Sequence, residues 1–219
     1  MIPINTTQRI SPDLRVLDAL GSESSSTRLQ AALAAGTHPD VRFVDPLVAR
    51  CAIEPDFYVR DMLTWALTRL PAESTVPVLL AELGSEVAQA RSQALHTLSK
   101  IGDRAAWPAI TRSLLHDADD EVARSAWRAA VVLVPDGERP RLARDLADQF
   151  GRGDRTVRLS LSRALVALGT VIEPVLRAGL ASTDLEVRAH AHATERLLRD
   201  PDAGFDESKR IVALGPEGA

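Results

Sequence analysis

The sequence predicts an all-α protein, a right-handed α-solenoid of about six stacked helical pairs. Three observations carry this. A short pattern, apolar-Arg-x-x-small/apolar-x-x-Ala/Thr-apolar, recurs along the chain. Prolines recur with nearly the same period at the start of apolar segments. Aromatic residues are only 4 % of the composition, so small aliphatic side chains must fill the core, which suits closely packed helices better than a sandwich or barrel.

The elements follow in chain order. Ser11-Pro12-Asp13 before Leu14, Val16 and Leu17 reads as cap, proline and first helix. The recurrent pattern then starts at positions 27, 59, 90, 122, 157 and 187, at spacings of 32, 31, 32, 35 and 30. Its clearest copies are Val59-Arg60-x-x-Leu63-x-x-Ala66-Leu67 and Val157-Arg158-x-x-Leu161-x-x-Ala164-Leu165, and Thr27-Arg28-x-x-Ala31-x-x-Ala34 is the degenerate first one. Offsets 0, +4, +7, +8 and +11 fall on one helical face, so each copy is an amphipathic helix. Asp56, Asp119, Asp154 and Asp184 stand three residues before four of the starts, where a carboxylate caps free N–H groups. Pro46, Pro77, Pro108, Pro140 and Pro174 are read as the first turn of the other helix of each pair, where a missing N–H costs nothing. Neither helix of a pair covers its own apolar face, so neighbours must stack. The array is expected over residues 11–199, with a flexible N-terminus over 1–10 and a mobile tail over 200–219.

Composition narrows function. Net charge is −4 and the pI about 5.8, so the molecule as a whole does not attract DNA or an anionic membrane. Lysine occurs only at Lys100 and Lys209, so positive charge is nearly all arginine, suited to bidentate contacts with carboxylate or phosphate. Cys51 is the single cysteine, which excludes an intrachain disulfide. Met1-Ile2-Pro3-Ile4-Asn5 has no basic or apolar leader character, and no apolar run is long enough to span a bilayer. A cytoplasmic location is expected.

The segments Asp154-Arg155-Thr156-Val157-Arg158 and Asp184-Leu185-Glu186-Val187-Arg188, each followed by an Ala-Leu helix, resemble HEAT repeats of the bacterial, bilin-lyase-like type. The resemblance covers residues 25–199. It departs at Ala123, where Arg is expected, and at the longer linker Phe150-Gly151-Arg152-Gly153. It implies the solenoid fold, but the family holds scaffolds, bilin lyases, sensor domains and DNA alkylation-repair glycosylases, so the resemblance does not select a function.

The second helix of each pair should line an inner groove, and the positions left over from its core stripe should face that groove. At offset +6 these are Leu33, Trp65, His96, Arg128, Arg163 and Ala193; at +5 they are Ala32, Thr64, Leu95, Trp127, Ser162 and His192. The candidate binding groove therefore comprises Asp61, Trp65, His96, Arg124, Trp127, Arg128, Arg163, His192 and Arg196. Flat aromatic and guanidinium surfaces suit a peptide, an acidic partner or unstacked bases. The evenly repeated Arg28, Arg60, Arg91, Arg158 and Arg188 read instead as a structural ladder to neighbouring repeats or inter-helix turns.

No catalytic residue, metal ligand set or cofactor is assigned. His190 and His192 stand two apart and point away from each other on a helix, so they do not share a metal. Cys51 reads as a buried small hydrophobe. The expected function is a non-enzymatic module or scaffold that binds a protein or peptide. One alternative is a nucleic-acid-binding protein of the repair-glycosylase type, with Asp61 beside Trp65. Another is a ligand-sensing partner of a transcription regulator.

Overall fold

The computed structural model describes residues 12–200. Among them the chain is all-α, and its helices form six pairs. The first three are α1 (Pro12–Leu20) with α2 (Ser25–Thr37), α3 (Val44–Ile53) with α4 (Phe57–Thr68), and α5 (Ala72–Glu82) with α6 (Ala88–Ile101). The fourth has a broken first member, a 3₁₀ segment over Arg104–Ala109 and the short α7 (Arg112–Leu115), before α8 (Asp120–Leu133). The last two are α9 (Arg139–Ala147) with α10 (Arg155–Ala167) and α11 (Glu173–Leu180) with α12 (Leu185–Arg199). The first ten residues and the tail, expected to be mobile, lie outside the described residues apart from Asp200.

Contacts divide the chain into two compact units, Met1–Asp103 and Arg104–Ala219. In the first, the second helices pack in sequence, α2 on α4 and α4 on α6; in the second, α8 packs on α10 and α10 on α12. The core stripe read from the sequence is what they bury. Val59, Leu63, Ala66 and Leu67 of α4 are buried, as are Val122, Ala126, Ala129, Ala130 and Leu133 of α8 and Val157, Leu161, Ala164 and Leu165 of α10.

The caps also match the expectation. Asp56, Asp119, Asp154 and Asp184 each accept hydrogen bonds from the N–H groups two and three residues ahead. Each satisfies donors that the helix itself leaves free. The prolines match in part. Pro46, Pro140 and Pro174 lie in first turns, but Pro77 sits inside α5, which already starts at Ala72, and Pro108 lies in the 3₁₀ segment. The regular spacing of prolines therefore does not report a constant position within the helix.

The arginine ladder is a set of turn clamps. Arg28 donates to the Ser22 and Glu23 carbonyls at 2.9 and 2.8 Å, Arg60 to Glu54 and Pro55 at 2.8 Å, and Arg91 to Ser85 and Glu86 at 2.8 and 3.3 Å. Arg158 and Arg188 reach Gly153 and Ser182 in the same way. Every clamp bonds a carbonyl five or six residues upstream, in the turn joining the two helices of its own pair. These carbonyls have no helical partner, so a charged donor there is stabilising.

The fourth pair, with Ala123 at the clamp position, is closed from outside. Arg152 of the following linker donates to the Asp117 carbonyl, six residues before Ala123, at 2.5 Å, and bonds the Asp120 carboxylate at 2.8 Å. The two departures from the repeat pattern thus compensate one another. Gly151 and Gly153, at φ +86° and +70°, give the linker the left-handed turns that bring Arg152 back; a Cβ on Gly153 would also collide with Val157.

Candidate functional site

The structure separates the two groove positions that sequence treated alike. Offset +6 is open: Trp65, Arg128 and Arg163 are exposed and His96 is half-buried. Offset +5 is closed: Ala32, Thr64, Leu95, Trp127 and Ser162 are all buried. Each of these helices packs against at least one other second helix as well as its own partner, so its buried stripe is wider than that of a surface helix. The +5 position lies at the edge of that stripe. His192, at +5 of α12, is exposed because no further second helix follows among the described residues.

Trp127 is therefore corrected from groove to core. It is 0 % exposed, its indole N–H donates to the Leu115 carbonyl at 2.8 Å, and the Arg152 guanidinium stands 5.9 Å from its ring centroid. A buried Trp needs a partner for its N–H, and the last residue of α7 supplies it. Trp65 behaves differently. It is 38 % exposed, and one face of its ring lies on Gly36 of α2, where a Cβ would overlap it. Its other candidate neighbour, Asp61, is exposed one turn earlier.

In the second unit the open face is basic. Arg124 and Arg128 stand one turn apart on α8, Arg163 on α10 and Arg196 on α12. Arg124 pairs with Glu121, while Arg128 donates to Ser125 Oγ at 3.0 Å. Burial of its stem, with the like charge of Arg124 nearby, pulls the Arg128 pKa down from its ordinary value. His192 Nδ1 lies 3.9 Å from the Glu195 carboxylate.

Two polar clusters that sequence reading missed are structural. Glu54, fully buried, accepts from Arg28 Nε and Nη2 at 2.7 Å, from Arg50 Nε at 2.8 Å and from the Asp56 N–H at 2.9 Å. Burial pushes its carboxyl upward, but these donors outweigh that and hold it at about 2. In the second unit His190 is buried. Its Nδ1 accepts the Gly151 N–H at 3.1 Å, which leaves the proton on Nε2, facing the Arg158 carbonyl and Ser162 Oγ. Burial lowers its pKa, so the ring is held neutral. His190 and His192 have no common direction, as their spacing requires.

Cys51 is buried, and burial pushes its thiol up to about 12, which removes it as a nucleophile. A cleft of about 380 Å³ lies where the first helix of the fourth pair is broken, walled by Trp107, Leu115 and Leu142 with Arg112, Arg141 and Asp145 at its rim. Arg112 is held there by Asp145 and Asp148. Among the described residues no helix is long and apolar enough to cross a membrane.

Capped, clamped helical pairs stacked through their second helices define an α-helical repeat protein. Comparison with known families narrows the class: the model of HEAT repeats matches residues 44–130, so this segment is similar to HEAT repeats. Among solved structures the chain is similar to the complex of CpcE and CpcF of phycocyanin lyase from Nostoc sp. PCC7120, with 21% identity, a TM-score of 0.48, and coverage of 90% of this chain and 80% of that one. No curated protein matches it.

Proposed function

We propose that this is a non-enzymatic HEAT-repeat module that binds a protein or peptide partner through the exposed face of its second helices. The observation that supports it is the open +6 line. Trp65, Arg128 and Arg163 remain exposed on helices whose other faces are almost wholly buried. Large flat side chains of this kind contribute disproportionately to protein interfaces. Repeat arrays present such faces without disturbing their core. With Trp127 buried, the face offers fewer aromatic platforms for unstacked bases than the sequence suggested, which weighs against the nucleic-acid reading.

Photo-crosslinking tests this. A photoreactive phenylalanine analogue is placed at Trp65 or Arg163, and for comparison at Glu73 or Arg177, which are exposed on first helices. The expected result is a discrete polypeptide adduct from Trp65 or Arg163 only. Adducts confined to the first-helix positions, or none from the second-helix positions, would refute the reading.

A further inference from the structure

The open face of the second unit differs in character from that of the first. In the first unit the +6 residues are Leu33, Trp65 and His96; in the second they are Arg128, Arg163 and Ala193. Arg128 and Arg163 hold the same position on helices that pack directly against each other, α8 and α10. Equivalent residues on packed helices stand about 10 Å apart. Among the described residues neither guanidinium forms an ion pair within 4 Å, the Glu121 charge only acting on Arg128 from further off, whereas Arg152 and Arg158 of the same unit are held by Asp120 and Glu186. Arg124 is already matched by Glu121. Leu159, one turn before Arg163 on α10, is 40 % exposed and puts an apolar contact beside the two charges.

Resting on the binding reading above, we infer that the α8–α10 face is a docking surface for an acidic polypeptide segment, with carboxylates on Arg128 and Arg163 and an apolar side chain against Leu159. A chain in polyproline-II conformation has three residues per turn and advances about 3.1 Å per residue, so carboxylates three residues apart share a face and match the expected separation of the two guanidiniums. Arginine's planar fork suits a carboxylate bidentately. A nucleic acid would need stacking platforms. On α8 the tryptophan that could have supplied one is in the core, and the chain's net charge of −4 opposes a long polyanion.

The test uses the full chain and a fluorescein-labelled peptide of repeating Glu-Glu-Leu, read by anisotropy at low and physiological salt. A Lys-Lys-Leu peptide and a short single-stranded oligonucleotide serve as competing probes. The acidic peptide should bind, and binding should weaken as salt rises. Arg128→Gln/Arg163→Gln should weaken it about tenfold, the scale of two exposed charge-assisted contacts, whereas Arg177→Gln on α11 should leave it unchanged. Far-UV circular dichroism checks that the variants stay folded. Equal affinity of the double variant, or tighter binding of either competing probe, would overturn the inference. A polypeptide adduct at Arg163 together with no binding of the acidic peptide would overturn this inference alone; absence of adducts at Trp65 and Arg163 would remove the binding reading beneath it.

Discussion

Glu54→Gln is the substitution from which the structure predicts most. The Glu54 side chain has no exposed surface and carries a full charge at neutral pH, because four donors surround it. Glutamine keeps the shape but removes the charge that balances the guanidiniums on it. Taking one partner from a buried ion network leaves the others desolvated without compensation, and for Glu54→Gln this should cost about 3 kcal/mol. That is roughly a hundredfold in the folded-to-unfolded ratio, a large share of the stability of an ordinary domain. Urea unfolding followed by circular dichroism measures it. The pH dependence has a definite sign. The folded carboxyl is held at about 2, below its unfolded value, so its contribution is complete above the ordinary carboxylate range and disappears as pH falls towards about 2. Glu54→Gln should lose that part of the acid sensitivity. A cost below about 1 kcal/mol would show that water, and not the arginines, satisfies the carboxylate, and would refute the reasoning.

Two further perturbations test the second unit. Arg152→Ala should destabilise by about 1–2 kcal/mol through loss of the Asp117 clamp and the contact with Trp127, and Ala123→Arg should recover part of this in the Arg152→Ala background while destabilising the wild type; additive costs in this double-mutant cycle would dismiss the exchange of clamps. His190 is held neutral with a pKa below its unfolded value, so stability should be complete above the ordinary histidine range and fall as pH drops through and below it; His190→Gln should flatten that slope, and an unchanged slope would assign it elsewhere.

What could be read from sequence was what is local and repeated. The Asp caps act within three residues, and the Arg clamps within six, so each was visible in single copies and reinforced by recurrence. The +6 line was legible because Leu33, Trp65, Arg128 and Arg163 reach the surface there, Trp65 even with one ring face on Gly36. The +5 line was not, because its environment is set by the helices of adjacent repeats. Trp127 shows the consequence: its type suggested a groove anchor, while its packing on the end of α7, with Arg152 near its ring, makes it core. Pro77 and Pro108 misled for a related reason, since spacing carries no information about where a helix begins. The Arg152 substitution for a missing clamp spans 35 residues of sequence. Its traces were the absent Arg at position 123 and a lone Arg between two glycines.

The borrowed clamp has a consequence for how the chain assembles. In one-dimensional terms, a turn closed by its own repeat adds to that repeat's intrinsic stability, whereas a turn closed by the next repeat adds to the coupling between them. Five turns carry an arginine clamp of their own repeat, the second with Gln89 of the next repeat on it as well, and the fourth has the borrowed arginine in its place. As the chain leaves the ribosome, pairs one to three can complete their arginine clamps as each second helix emerges. The fourth pair reaches its native closure only after Arg152 has been synthesised, so the fourth and fifth pairs should fold, and fray, as a single cooperative step.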